Sequence, residues 1–255
     1  MRSALTIARF VILEARRSGL PWLAIGALGV GVGLAGFLSR LALTESAALQ
    51  TGILAAFFRV TTVFLLVTFV VTSMVREASD KGLELLLSLP ISRTSYYVGK
   101  LAGFVACGGV LSVVFSCALL FWGPPLAVGI WCVSLALEVS LMAVVGLFFV
   151  ITMANVVPAL TAVAGCYFLS RVIASIQSIA VSPLAGEPGT LQKLAVNGID
   201  LVALLLPPLE KATQTEWLMY AIPSIGEFLR IAGLLVVYGA LVLAAGLFDF
   251  HRRNL

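Results

Sequence analysis

The chain has 255 residues, 61% of them hydrophobic and only 11% charged, with a net charge of +4. Ordinary soluble domains carry about 45–50% apolar and roughly 25% charged residues, so a soluble fold of this length is excluded. The mild basicity does not indicate nucleic acid, because Lys and Arg sit in short segments beside apolar runs, the pattern that sets membrane topology. In lipid only helices and closed barrels satisfy their own backbone groups. Apolar runs of about 20 residues without period-2 alternation predict helices, hence an all-α integral membrane protein.

In chain order, residues 2–18 predict a basic amphipathic helix lying in the cytoplasmic interface. Arg2, Arg9 and Arg16 superimpose on one face, with Ala4, Ile7, Ala8, Val11 and Ala15 on the opposite arc. Such a helix sinks its apolar arc at the headgroup boundary while its arginines meet anionic lipid. The alternative is an extended start to the first span. Charge persists to Arg17, so the segment does not read as a cleavable signal peptide. A first span follows at 21–39, where Gly29-x-x-x-Gly33 permits close helix approach, expected within the subunit rather than at a dimer seam. The second span is expected at 52–75, ended by the charged run Arg76–Lys81.

Residues 82–98 are too polar to span but contain a leucine-rich stretch that predicts a short amphipathic helix stopping before Pro90. Further spans are expected at 101–122, 126–153, 157–179 and 229–248, separated by Trp122-Gly123-Pro124-Pro125 and by Asn155 with Pro158. The longest stretch outside the spans, 181–228, carries five prolines and the apolar segment Ile199–Leu206, too short to cross. It predicts a buried or re-entrant helix covering part of the outer face. Six spans put both termini on one side. Arg2, Arg9, Arg16, Arg17, Arg76, Lys81, Arg93, Lys100, Arg252 and Arg253 all fall there, out of 16 basic residues, so that side is expected to be cytoplasmic.

The segment 76–100, REASDKGLELLLSLPISRTSYYVGK, carries the most information. Its basic residues need no more than a cytoplasmic loop, but the apolar side of residues 82–87 needs a partner surface, and a second protein is plausible. The order Glu77, Gly82, Leu83, Glu84, Leu86, Leu87, Ser88, Pro90, Ile91, Ser92, Arg93, Gly99, Lys100 resembles the first cytoplasmic loop of membrane permeases of the type-2, exporting class of ABC transporters. Leu83 departs from that pattern, which often has Thr after the glycine. The resemblance implies that residues 82–89 form a coupling helix docking on a separate ABC ATP-binding subunit. It further implies a complex of two permeases, expected as a homodimer, in the cytoplasmic (inner) membrane. ATP and Mg would be held by the partner. Gly99-Lys100 is followed by Leu101, and Thr94 stands where a phosphate-cradling loop needs its first glycine, so no nucleotide site is expected in this chain.

No catalytic, cofactor or metal site is expected either. The cysteines Cys107, Cys117, Cys132 and Cys166 lie inside apolar runs without CxxC spacing, and the only histidine is His251 in the tail. Glu138 is the one acid well inside a span, which argues against an intramembrane enzyme. A non-transporting scaffold or sensor bound to the same ATPase is the alternative to a transporter. Glu138, Arg59 and Arg171 are the charges inside the membrane, and each costs about 2.5–3.5 kcal/mol at mid-bilayer unless it finds a partner or water. Along their helices Glu138 lies roughly 18 Å from the outer end and Arg171 roughly 12 Å, so Glu138 is expected to pair with Arg171 or Arg59. The pair could lock the bundle, contact substrate or act as a gate.

Overall fold

The computed structural model describes residues 2–41, 46–79, 92–180, 190–220 and 222–252. Among them there is no strand, and six helices are long and apolar enough to cross a bilayer. The chain is an all-helical, multi-pass membrane protein.

Helix α1 (Arg2–Arg17) ends on two arginines, whose charges suit the negative end of the helix dipole. Gly19, in the left-handed region at φ 81°, turns the chain directly into α2 (Leu20–Leu41). Helix α3 (Ser46–Ser79) has 34 residues, about 51 Å of helix, and so overhangs a hydrocarbon core of about 30 Å. Helix α4 (Arg93–Leu119) begins on Ser92, whose hydroxyl accepts the Ser95 N–H at 3.2 Å as an N-cap. Helix α5 (Pro125–Met153) starts with proline at its first position and ends at Ala154, which is left-handed at φ 56°. Helix α6 (Val156–Ala180) follows at once, then the shorter α7 (Thr190–Leu205), a 3₁₀ turn Leu209–Lys211, the single turn α8 (Glu216–Met219), and α9 (Ile225–Arg252).

The bundle is built around α5. This helix is apolar on every face and touches α3, α4, α6 and α9, which is why Trp131, Leu135, Val139 and Met142 have no exposed surface. Helices α2 and α9 lie on the outside. Helix α9 buries one row, Ile231, Leu235, Gly246 and Phe250, and exposes Leu229, Val236, Leu241 and Phe248, as a lipid-facing helix must.

Three placements differ from the sequence expectations. The Gly29/Gly33 pair faces away from the subunit, with nothing within reach of an added side chain. Helix α2 instead meets α3 through Gly31, where an added Cβ would lie 2.5 Å from the Phe58 ring, and through buried Ala24 and Ala35. Those positions recur at helical spacing on the face opposite Gly29 and Gly33. Second, the α1 arc of Ala8, Val11 and Ala15 is buried against protein, chiefly α4, rather than open to headgroups, while Leu5, Phe10 and Leu13 are exposed. Third, the segment 199–206 is not buried, since Leu201, Leu204 and Leu205 are all exposed at the end of α7. The buried piece is the stretch after Pro207-Pro208, where Leu209, Ala212, Thr213, Trp217 and Leu218 are withdrawn from the surface.

Both chain ends lie at one end of the bundle. Arg93 donates to the Phe250 carbonyl, the Phe250 ring stacks on Tyr96, and α1 lies across Gly99 and Gly103 of the same part of α4. The opposite end is closed by residues 207–219: Met219 covers Gly52 of α3, and Thr213 bonds to Ser134 of α5.

Candidate functional site

Two polar constellations stand out, one at each end. At the end of the termini, α3 and α4 supply the two roots of the segment that joins them. Gly82, Leu83, Glu84, Leu86, Leu87 and Pro90 lie outside the described residues, whereas Glu77 and Arg93 flank them. Glu77, in the last turn of α3, forms an ion pair with Lys100 of α4, whose side chain is only 2% exposed. The lysine stem and ammonium are roofed by the Phe10 ring of α1, 5.9 Å from Nζ. A buried cation must be paired to be tolerated, so this pair ties the roots of the segment together.

Helix α1 completes the clamp. Its backbone approaches α4 so closely that a Cβ on Gly99 would lie 2.8 Å from the Ala4 carbonyl, and one on Gly103 2.6 Å from Val11 Cβ. On its other side, the Glu14 carboxylate accepts from Ser73 Oγ at 2.8 Å and from Arg76 Nη2 at 2.7 Å, both on α3. Four helices therefore converge on the roots of residues 80–91: α1, α3, α4 and, through Phe250 and Arg93, α9. Neither the Glu77–Lys100 pair nor the role of Gly103 is signalled by composition. The small-residue spacing Gly99-x-x-x-Gly103 is the one sequence pattern that could have located the α1 seat.

At the far end, Glu138 of α5 has no exposed surface and accepts from Arg171 Nη2 of α6 at 2.5 Å. Arg59 of α3 takes a different partner, donating through Nη1 to the Thr213 carbonyl at 2.8 Å. Arg171 reaches the neighbouring Ala212 carbonyl with its second nitrogen, at 2.9 Å. These carbonyls point inward because Thr213 is left-handed at φ 49°, a conformation held by its N–H donating to Ser134 Oγ at 2.9 Å. The Tyr167 hydroxyl, on a residue only 4% exposed, sits in the same cluster against both guanidinium groups, and Nε of both arginines completes no hydrogen bond.

The arginines and Tyr167 line a cavity of about 410 Å³, bounded on the outside by Glu210, Gln214 and Glu216. Glu210 is anchored by accepting the Ala174 N–H at 3.2 Å. Two guanidinium groups stand between the Glu138 carboxylate on the inner side and the Glu210 and Glu216 carboxylates at the mouth, so opposite charges are separated across the cavity. Residues 210–216 carry no motif. The arginines are held by backbone carbonyls, which no residue type announces, and only the polar character of Glu210, Thr213 and Gln214 after a double proline hints at a folded cap.

Among the described residues no group of three or more His, Cys, Asp or Glu is placed to hold a metal ion, and the four cysteines are free and spread over α4, α5 and α6. Comparison with protein-family models and with curated proteins finds no match. The fold and these sites define a polytopic helical membrane protein with the clamped ends of α3 and α4 on one side and a polar cavity on the other.

Proposed function

We propose that the chain is the membrane-spanning permease subunit of an ATP-driven exporter, powered by a separate ATP-binding subunit that docks on residues 82–89. The sequence likeness of residues 76–100 to type-2 permeases suggests the reading, and the Glu77–Lys100 pair carries it. A loop that receives force must be rigid at its roots, or the push is lost in loop motion. Here the roots are joined to each other through a buried ion pair and to the bundle through α1 and α9. ATP-driven closure of the partner would therefore displace α3 and α4 as one body and rock them about α5. Coupling of this kind requires that the loop contact differ between two states of the spans. Two copies would line the path between them, in the cytoplasmic membrane, with both termini on the cytoplasmic side.

Co-purification with the ATP-binding subunit tests the docking. Leu86→Asp or Glu84→Arg should abolish the complex. Lys100→Met should leave it assembled while uncoupling ATP hydrolysis from the membrane subunit. If the complex survives both loop substitutions unchanged, residues 82–89 are not the docking helix.

A further inference from the structure

The far-end cavity does not stop at its polar wall. Val60, Tyr167 and Phe168 are shared with a shallow apolar trough between α3 and α6, lined further by Val63, Phe64, Val67, Met142, Leu160 and Val163. Buried Met142 of α5 forms its floor, and exposed Phe64 and Phe168 stand on its outer flanks, so the trough opens sideways toward lipid. From Val60 to Val67 it runs about 10 Å along α3, away from the capped end.

Chemical character changes in order along this continuous surface. First comes the shallow apolar trough, then a zone of Tyr167 and two arginines whose Nε groups have no partner, then a rim bearing Glu210 and exposed Glu216. We propose that this surface binds one amphiphile whose head carries a phosphate followed by an ammonium group, as phosphatidylethanolamine does. The first methylenes of one acyl chain lie in the α3–α6 trough, whose volume of about 40 Å³ leaves the rest of the chain in the bilayer. The phosphate accepts from Arg59 and Tyr167, and the ammonium donates to the two rim carboxylates. The cavity volume of about 410 Å³ falls in the roughly 300–1,000 Å³ range of small-molecule sites. Arginine beside a buried hydroxyl is a strong setting for phosphate, because charge-assisted hydrogen bonds gain most where water is excluded. The rim acids select against a head that ends in hydroxyls alone. The inference rests on the cavity and is independent of the transport reading.

The test uses the full chain in vesicles of equal parts phosphatidylethanolamine and phosphatidylglycerol. The protein is extracted in mild detergent and its retained lipid measured by native mass spectrometry. Phosphatidylethanolamine should be retained in preference by roughly tenfold, the effect of one additional charge-assisted contact. Glu210→Gln combined with Glu216→Gln should erase that preference while lipid is still retained, and it leaves the Arg59–Thr213 and Arg171–Glu138 contacts in place. Ala164→Phe, which fills the trough from its half-buried wall, should remove retention of both lipids without altering any charge. Equal retention of the two lipids by the unaltered chain, or retention untouched by Ala164→Phe, would overturn the assignment.

Discussion

Glu138 shows how a single residue is made tolerable inside a membrane protein. Its carboxylate has no exposed surface, and one short contact to Arg171 carries its compensation. Removing one member of such a pair strands the other as a buried charge, at a cost of about 3–5 kcal/mol, whereas replacing both is far milder. Arg171→Met should therefore unfold in detergent at markedly lower temperature than the unaltered chain, and Glu138→Met with Arg171→Met should recover part of the loss. Equal melting of the single and double variants would mean that the pair contributes no coupling. Depth arithmetic along the helices brought Glu138 within reach of Arg171, with Arg59 as the alternative partner. The choice between them lay with Thr213, whose carbonyl occupies Arg59. A backbone acceptor turned inward by a left-handed residue leaves no trace in residue identity.

Among the elements, α2 and α4 make the same point about faces. Both are rich in small residues, yet only some of those residues meet a neighbour. Gly31 is filled by Phe58, and Gly99 and Gly103 are filled by α1, whereas Gly29 and Gly33 are open. A side chain forced into a packed contact costs about 1–3 kcal/mol, while a change on an open face stays within about 0.5 kcal/mol. Gly31→Leu should lower the unfolding temperature and Gly29→Leu should not, when both are measured in the same detergent. Gly103→Leu should displace α1 and speed protease cleavage after Arg16 and Arg17. The run lengths of the helices were readable because hydrophobicity persists through each span. Which face of a helix turns inward is set by the neighbours, and spacing alone cannot report it.

At the scale of the whole molecule, the two ends differ in kind. One end gathers the first and last helices, α1 and α9, and the roots of residues 80–91, and the other is capped by residues 207–219, beside which the polar cavity opens. Ten of the 16 basic residues fall in the sequence segments that belong to the first end, and the proposed function places that end in the cytoplasm. Single cysteines introduced into a chain freed of its own four test this orientation. Tyr220→Cys should react with a membrane-impermeant maleimide from outside intact cells, and Thr94→Cys only after permeabilisation. The reverse pattern would invert the molecule and place the cavity on the cytoplasmic side.

What the amino-acid order determined by itself was class and topology: helices in a membrane, six of them long enough to span, and both ends together. Those properties follow from local composition, because lipid demands apolar length and internal hydrogen bonding from each segment separately. Only the tertiary structure decided which charges meet and which glycines are filled. It also showed that the buried part of the outer segment is the stretch after the double proline. Each of these depends on contacts between segments far apart in the chain, such as Glu77 with Lys100, or Arg59 with Thr213. Their energies come from exclusion of water at the meeting point, a property of the assembled bundle.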